Sequence, residues 1–155
     1  MMSNNRQAFL DMLAWSEGTS TIPGSDNGYN VLVGSTPSHP LLFNSYADHP
    51  RVFNAELDST AAGRYQLLAK YFDVYKEQLR LPDFSPPSQD TIALQQIKER
   101  FAWDDVDAGN LATAILKCST IWASLPGAPY GQRQNKLSDL QTAYLNAGGT
   151  LASNS

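Results

Sequence analysis

The amino-acid sequence predicts an α+β fold, with a mainly helical body and a small antiparallel β region beside it. Apolar residues recur at helical spacing near the start of the chain and again after Ser59. Residues 19–58 instead hold four prolines and short β-branched or aromatic runs. The β region is expected to form a second lobe, with a cleft between the lobes where ligands commonly bind. At 155 residues, the chain has the length of one domain, so we predict a single domain over residues 1–155.

The first predicted helix runs from about Asn5 to Ser16 or Glu17. Residues 3–5 are all suitable N-caps, and Gly18 is a natural stop. Residues 19–58 are predicted to form loops and a small sheet, with strands near residues 29–33 and 41–43.

Four further helices are predicted in the rest of the chain. The first of them begins at Ser59 or Thr60, carries Tyr65 on its apolar stripe and stops before Pro82. The others are expected from Ser85 to about Arg100, over 111–122, and over 137–145 with an end at Gly148 and Gly149.

The charge balance excludes several classes of protein. The net charge is −4, and residues 1–58 account for it with two basic and six acidic side chains. A general nucleic-acid binder or a protein held on an anionic membrane needs a basic surface, so neither is expected.

No run of 18 apolar residues is present, and the N-terminus lacks the apolar core of a secretory signal. We therefore expect synthesis in the cytoplasm, with no transmembrane segment and no export signal.

The sequence offers few ligands for a metal or a cofactor. Cys118 is the single cysteine, and His39 and His49 are the only histidines, each followed by proline. This set forms no disulfide and no thiolate cluster, and two histidines alone do not make a zinc site. No glycine-rich phosphate loop is present either. We therefore expect no metal and no cofactor.

Glu17 is a candidate general acid. No basic residue lies within ten positions of it in the sequence. On a helix that ends here, it shares a face with Leu10 and Leu13 and lies near the negative end of the helix dipole. Burial and the dipole both disfavour a carboxylate, so the pattern predicts a raised pKa, as a general acid requires. The alternative is a helix-end residue turned toward solvent beyond Gly18.

Six segments of the sequence carry a specific resemblance to a known family. They are RQAFLDMLAWSEGT (6–19), GRYQLL (63–68), DFSP (83–86), SQD (88–90), ALQQIKER (93–100) and CSTIWASLPGAPYGQ (118–132). In this order and spacing they resemble the sequences of the phage lambda endolysin family, whose members are peptidoglycan lytic transglycosylases. The resemblance spans nearly the whole chain and is weakest at residues 20–58, at residues 101–117 and at the C-terminus.

The resemblance implies a lysozyme-like fold and cleavage of the β-1,4 bond between MurNAc and GlcNAc in bacterial peptidoglycan. The family's catalytic acid is the glutamate of its S-E-G segment, which Glu17 matches. In the family this glutamate protonates the glycosidic oxygen and then takes the proton of the C6 hydroxyl of the same muramic acid. That hydroxyl closes on C1 and leaves a 1,6-anhydro end, so one carboxyl suffices because the nucleophile is internal.

The resemblance also implies residues that bind the glycan. Tyr65 and Gln66 match the family's GRYQ segment, and the Gln66 amide offers a donor and an acceptor to an N-acetyl group. Tyr65 is equally readable as a core aromatic. The proline- and glycine-rich loop after Trp122 matches one lip of the family's cleft, although an ordinary structured connection is the alternative. The candidate sugar contacts in this loop are Ser124, Tyr130, Gly131 and Gln132.

The implied partner is the glycan strand of peptidoglycan, and we expect a monomer without stable membrane association. The protein would wait in the host cytoplasm until a membrane lesion made by a holin released it to the wall. Two rival functions stay open from the sequence. One is a hydrolytic muramidase in which Glu17 works with Asp26, Asp48 or Asp58, at the separations that two-carboxylate glycosidases use. The other is a non-catalytic wall-binding module that keeps the fold.

Overall fold

The computed structural model describes residues 3–129 and 133–153, which are mostly helical and turn structure. The helices are α1 (Asn4–Glu17), α2 (Ala69–Leu79), α3 (Pro86–Glu99), α4 (Trp103–Ala108), α5 (Leu111–Cys118) and α6 (Leu137–Asn146). A 3₁₀ turn spans Asp26–Gly28. The prediction of a mainly helical body is confirmed. Over the described ranges, no helix has the length and apolar character needed to span a membrane.

Two compact units make up the chain. One comprises Met1–Ser16 together with Ala93–Ser155, and the other comprises Glu17–Ile92. In the first unit, the buried apolar side chains lie mainly on α1, α4, α5 and α6. The assignment of residues 1–155 to one domain stays a prediction.

Helix α1 begins and ends as its sequence predicts. The Ser3 hydroxyl accepts a hydrogen bond from the Arg6 backbone N–H at 3.3 Å, which satisfies one of the free N–H groups of the first turn. Between Ala8 and Ala14, the apolar side chains are completely buried, so the helix presents one wide apolar face to the core.

Helix α2 begins nine residues later than the predicted start at Thr60. The chain cannot be helical through this segment because Gly63 and Gln66 have φ values of 85° and 55°. The N-cap of α2 is Leu68 rather than Ser59 or Thr60, although the Thr60 hydroxyl accepts a hydrogen bond from the Ala69 N–H at 2.9 Å. Tyr65 therefore lies in a turn before α2, and its predicted place on the helical stripe is wrong.

The predicted antiparallel sheet is not confirmed. Among the described residues, isolated antiparallel bridges take its place, and two of them join Val31 to Leu42 and Leu32 to Ala62. Short backbone hydrogen bonds accompany these bridges, such as Leu32 N–H to Leu41 carbonyl at 2.8 Å. The β character at residues 29–33 and 41–43 is therefore local pairing in a region dominated by turns.

The core of the second unit is built from residues of the bridged segments, of α2 and of α3. The His49 ring packs within it, 4.9 Å from the Phe84 ring and 5.9 Å from the Phe72 ring. His49 Nε2 donates to the Leu67 carbonyl at 2.8 Å, and Nδ1 accepts from the Arg51 N–H at 3.0 Å. The buried residues of this core are Phe43, Ala62, Leu67, Phe72, Tyr75, Phe84 and Ile92.

The other helices agree with the sequence in place but differ in extent. Helix α3 follows the predicted bounds to within one residue, whereas α5 ends at Cys118 instead of Trp122. Beyond Cys118 the chain continues in tight turns, and Trp122 stays buried at 2% exposure. The short helix α4 was not expected, and it ends at Gly109 with a φ of 79°.

Candidate active site

Glu17 is the last residue of α1, and its side chain is half-buried. Gly18 follows with a φ of 80°, in the left-handed region where helices commonly end. The last turn of α1 contains no basic residue. Because Glu17 is the last residue of the helix, its carboxyl lies at the negative end of the helix dipole, as the sequence predicts. Its partial burial differs from a helix end turned fully to solvent, and the raised pKa of Glu17 stays a prediction.

Ser16, the residue before Glu17, is held by a cluster of hydrogen bonds. It is buried, and its Oγ lies 2.7 Å from Ser124 Oγ. The Asn135 side-chain amide donates to Ser16 Oγ at 2.9 Å and to the Ser16 carbonyl at 3.1 Å. The Asn135 backbone N–H donates to the Ser124 carbonyl at 2.7 Å. Ser124 therefore contacts the end of the helix that carries Glu17, and its contact with glycan stays a prediction.

The GRYQ segment, residues 63–66, is built around the buried side chain of Arg64, which is 2% exposed. The Arg64 backbone N–H donates to Gln89 Oε1 at 2.8 Å, and its Nε donates to the Asn27 carbonyl at 2.9 Å. Its Nη1 donates to the Tyr65 hydroxyl at 3.1 Å, and the guanidinium carbon lies 5.3 Å from the centre of the Tyr29 ring. These fixed partners make the segment rigid.

Asp90, on α3, accepts hydrogen bonds from two tyrosine hydroxyls. Tyr65 donates at 2.6 Å, and Tyr29 donates to the two carboxylate oxygens at 2.9 and 3.1 Å. Burial, and then the charge of Asp90, raises the pKa of Tyr29 to about 12, and the same causes raise the pKa of Tyr65. Tyr65 is 5% exposed, so it is a buried aromatic residue. Its contact with glycan stays a prediction.

Gln66 has a half-buried side chain and a φ of 55°. Its amide nitrogen donates to the Gly63 carbonyl at 2.9 Å and to the Val31 carbonyl at 3.3 Å. A carboxamide nitrogen has two N–H donors, and both are used here. A hydrogen bond between the Gln66 side chain and a glycan amide would therefore use the side-chain carbonyl oxygen of Gln66. The sequence analysis had allowed either the nitrogen or the oxygen of the Gln66 amide to make this contact.

The loop after Trp122 is described only as far as residue 129. Its conformation depends on Gly127, which has a φ of 95° and packs so closely that an added Cβ would lie 2.7 Å from Leu116 Cδ1. Beyond the loop, the Gln134 amide donates to the Ala128 carbonyl at 2.9 Å. Three of the predicted sugar contacts, Tyr130, Gly131 and Gln132, lie outside the described residues.

The three aspartates considered as partners of Glu17 each have a local structural role. Asp26 has a φ of 48° and accepts a hydrogen bond from the Tyr46 hydroxyl at 2.6 Å. Asp48 caps the His49 N–H at 2.8 Å and pairs with Arg51, whose hydrogen bond holds the Asp48 pKa below its ordinary value. Asp58 is exposed in a turn with a φ of 51°. These roles agree with the turn chemistry expected of aspartate.

The sequence analysis did not single out several residues that build this region. Arg64 and Asp90 lie inside resembling segments, so their position was visible, but the burial of Arg64 and the hydrogen bonds of Asp90 were not. Thr19 is the last residue of the first resembling segment and Asn135 lies outside all six. Their hydrogen bonds were not visible, because their partners lie 45 and 119 residues away. In the described part of the chain, no group of three or more His, Cys, Asp or Glu side chains could hold a metal ion.

Comparison with known proteins gives sequence similarity to endolysins along almost the whole chain. Residues 7–151 match the Endolysin family. The chain is 52% identical over 152 residues to the endolysin of Escherichia phage lambda, which covers 97% of this chain and 95% of that protein. It is 50% identical over 157 residues to the endolysin of Escherichia phage P2, which covers 96% of this chain and 95% of that protein.

Solved structures give the same result for the fold. Bacteriophage lambda lysozyme complexed with a chitohexasaccharide superimposes with a TM-score of 0.89 at 52% identity, covering 97% of this chain and 98% of that one. A second structure of lysozyme from bacteriophage lambda has a TM-score of 0.86 at 51% identity and the same coverage. The predicted lysozyme-like fold is therefore confirmed.

Proposed function

The chain belongs to the endolysin family, and from that membership we propose that it cleaves peptidoglycan by lytic transglycosylation, with Glu17 as both acid and base. As a family member it is a lysozyme-type enzyme that degrades peptidoglycan in phage lysis. The bond to be cleaved is the β-1,4 link from MurNAc C1 to the O4 oxygen of GlcNAc.

The proposed reaction needs one proton donor that is later a proton acceptor. Protonated Glu17 gives its proton to the glycosidic O4 as the C1–O4 bond breaks. The resulting carboxylate then takes the proton of the muramic acid C6 hydroxyl, and O6 forms a bond to C1. Glu17 ends the cycle protonated, no water is consumed, and the product carries a 1,6-anhydro ring. The internal hydroxyl supplies a high effective concentration of nucleophile.

The placement of Glu17 is the observation that carries this proposal. It is half-buried at the C-terminal end of α1, beside the negative end of the helix dipole. Each of these features favours the protonated form of a carboxyl group, which is the form needed at the start of the reaction.

The local roles of the aspartates favour the single-carboxyl reaction over hydrolysis by two carboxylates. A hydrolytic partner of Glu17 would need to hold a water molecule or attack C1 itself. Asp48 is committed to Arg51 and Asp26 to the Tyr46 hydroxyl. Asp58 is exposed in a turn. None of these environments prepares the carboxylate for either task.

Glycan binding is proposed for the predicted contact residues. The Gln66 carbonyl oxygen is suited to accept a hydrogen bond from an N-acetyl N–H group, since its amide nitrogen is already used. For Tyr65, the hydrogen bond to Asp90 supports a role in fixing the GRYQ segment rather than in touching sugar. Ser124, Tyr130, Gly131 and Gln132 are proposed as contacts on the loop after Trp122.

The proposed setting of the activity follows that of a phage lysis enzyme. The protein is proposed to act as a monomer and to need no cofactor. It is proposed to accumulate in the host cytoplasm and to reach the wall once a holin has opened the membrane.

Substitution of the acid tests the proposal. Glu17→Gln keeps the size of the side chain and removes the titratable proton, so lysis of purified walls should fall to background while the protein still folds and binds walls. Glu77→Gln is the matched control, because Glu77 is exposed on α2, and its lysis should equal that of the unmodified chain. Full lysis by Glu17→Gln would refute the assignment. Wall binding without lysis in the unmodified chain would favour a non-catalytic binding module.

A further inference from the structure

We propose that Thr19 is a positioning residue for Glu17, acting through the hydrogen bond from its hydroxyl to the Arg64 carbonyl; this inference rests on the proposed catalytic role of Glu17. The Thr19 Oγ1 donates to this carbonyl at 2.6 Å in a buried environment. Thr19 itself is 1% exposed, although it lies only two residues beyond Glu17. The hydrogen bond links the acid-bearing segment to the GRYQ segment, 45 residues later in the chain.

The need for such a link comes from Gly18. Its φ of 80° ends α1, and an added Cβ there would meet no atom within 4 Å. Glycine has the widest choice of backbone conformations, and at Gly18 the carbonyl accepts a hydrogen bond from Thr21 Oγ1 at 3.1 Å in an exposed environment. The first buried residue after Glu17 is Thr19, and its contacts hold the chain that leaves the helix.

Thr19 is fixed on its other sides as well. Its carbonyl accepts hydrogen bonds from the Ile22 N–H at 3.2 Å and from Ser25 Oγ at 3.3 Å. Gly28 packs directly against it, because an added Cβ at Gly28 would lie 2.9 Å from Thr19 Oγ1 and 3.0 Å from its Cβ. Close packing and hydrogen bonding together allow Thr19 little movement.

The acceptor is also rigid. Arg64 is 2% exposed, and its backbone N–H donates to Gln89 Oε1 at 2.8 Å. The Gln89 amide nitrogen donates to the carbonyls of Phe84 and Tyr29 at 2.9 and 3.1 Å. The Thr19 hydroxyl is therefore attached to a well-fixed carbonyl, as expected of a group that supports a catalytic residue.

The test is a set of hydroxyl substitutions measured as kcat and KM on soluble peptidoglycan fragments, per folded molecule. Thr19→Val keeps the shape and removes the hydroxyl, and kcat should fall by about 10- to 100-fold, the cost of a catalytic group displaced by up to about 1 Å. KM should change by less than about twofold, because the Thr19 hydroxyl is buried against the Arg64 carbonyl and is proposed to act only through Glu17. Thr19→Ser restores the hydroxyl and should recover most of kcat. The matched control is Thr142→Val, which removes an exposed hydroxyl on α6 and should leave kcat unchanged.

Ser25→Ala provides a second, milder variant in case Thr19→Val does not fold. It removes the hydrogen bond to the Thr19 carbonyl, and kcat should fall while KM stays constant. Unchanged kcat in the folded variants, or equal loss in Thr19→Ser and Thr19→Val, would overturn the inference. Glu17→Gln separates the two proposals. If it retains lysis, the proposed function fails; if it is inactive while Thr19→Val is fully active, only the positioning role fails.

Discussion

Replacing Tyr65 with phenylalanine removes a single buried hydroxyl and leaves the aromatic ring in place. That hydroxyl donates to Asp90 at 2.6 Å and accepts from the Arg64 guanidinium at 3.1 Å. A hydrogen bond to a charged group contributes about 1.5–3 kcal/mol, and both partners here carry charge. We therefore expect Tyr65→Phe to lower the free energy of unfolding by about 2–3 kcal/mol. In a chain of this size, that loss lowers the Tm by roughly 4–12 °C.

Urea denaturation followed by tryptophan fluorescence measures this change directly. Tyr71→Phe is the matched control, because Tyr71 is 48% exposed on α2 and its loss should be within about 0.5 kcal/mol. If Tyr65→Phe is as stable as the unmodified chain, the network around Asp90 does not contribute as its geometry implies. The same variant tests glycan contact: a buried structural hydroxyl leaves KM unchanged, whereas a sugar-binding hydroxyl raises KM when it is lost.

Two further predictions concern packing and pH. Gly63→Ala, at a φ of 85° and with its new methyl 2.5 Å from Gln89 Oε1, should cost about 2–4 kcal/mol of unfolding free energy. Gly18→Ala, at a φ of 80° with open space around it, should cost only about 1–2 kcal/mol, and equal losses in denaturation curves would contradict the packing argument. Burial lowers the pKa of His49 from its ordinary value of 6.5, so below that pH the unfolded chain takes up a proton that the folded chain resists. The contribution of His49 to stability should be full above pH 6.5 and should be lost as the pH falls toward the folded pKa of His49. Thermal denaturation of the unmodified chain and of His49→Gln, each measured above and below pH 6.5, tests this. The same pH dependence in both proteins would refute the prediction.

The helices that were predicted well are those whose limits are set by nearby residues. Ser3 and Gly18 define α1 through a local cap and a left-handed stop, and Ser85 and Pro86 open α3 in the same local way. The start of α2 was missed because Gly63 takes its conformation from contacts with Gln89 and Phe84, more than 20 residues away. No local pattern reports such a contact.

The β region was overestimated for a related reason. Residues such as Val31 and Leu42 have strand character and do pair, but the pairing is limited to single bridges. A left-handed residue at Gly34 turns the chain directly after residues 31–33, which limits the length of any ladder. β-Propensity depends strongly on the surroundings, so composition alone predicted a sheet where turns dominate.

In the candidate site, the sequence singled out Glu17 as the candidate acid but did not reveal the hydrogen bonds around it. Glu17 was distinguished by the absence of Lys and Arg within ten positions in the sequence and by its helical register with Leu13, and both properties can be read from the local sequence. The contacts of Thr19, Arg64 and Asp90 are hydrogen bonds between distant segments. Only the three-dimensional structure brings these segments together.

The mass of the reaction products tests the central claim most directly. Peptidoglycan should be digested to completion in water labelled with oxygen-18, and the muropeptides analysed by mass spectrometry. Transglycosylation by Glu17 predicts 1,6-anhydro-MurNAc ends that are one water lighter than hydrolytic products and carry no label, with no such products from Glu17→Gln. Reducing MurNAc ends that carry oxygen-18 would contradict the account and establish hydrolysis.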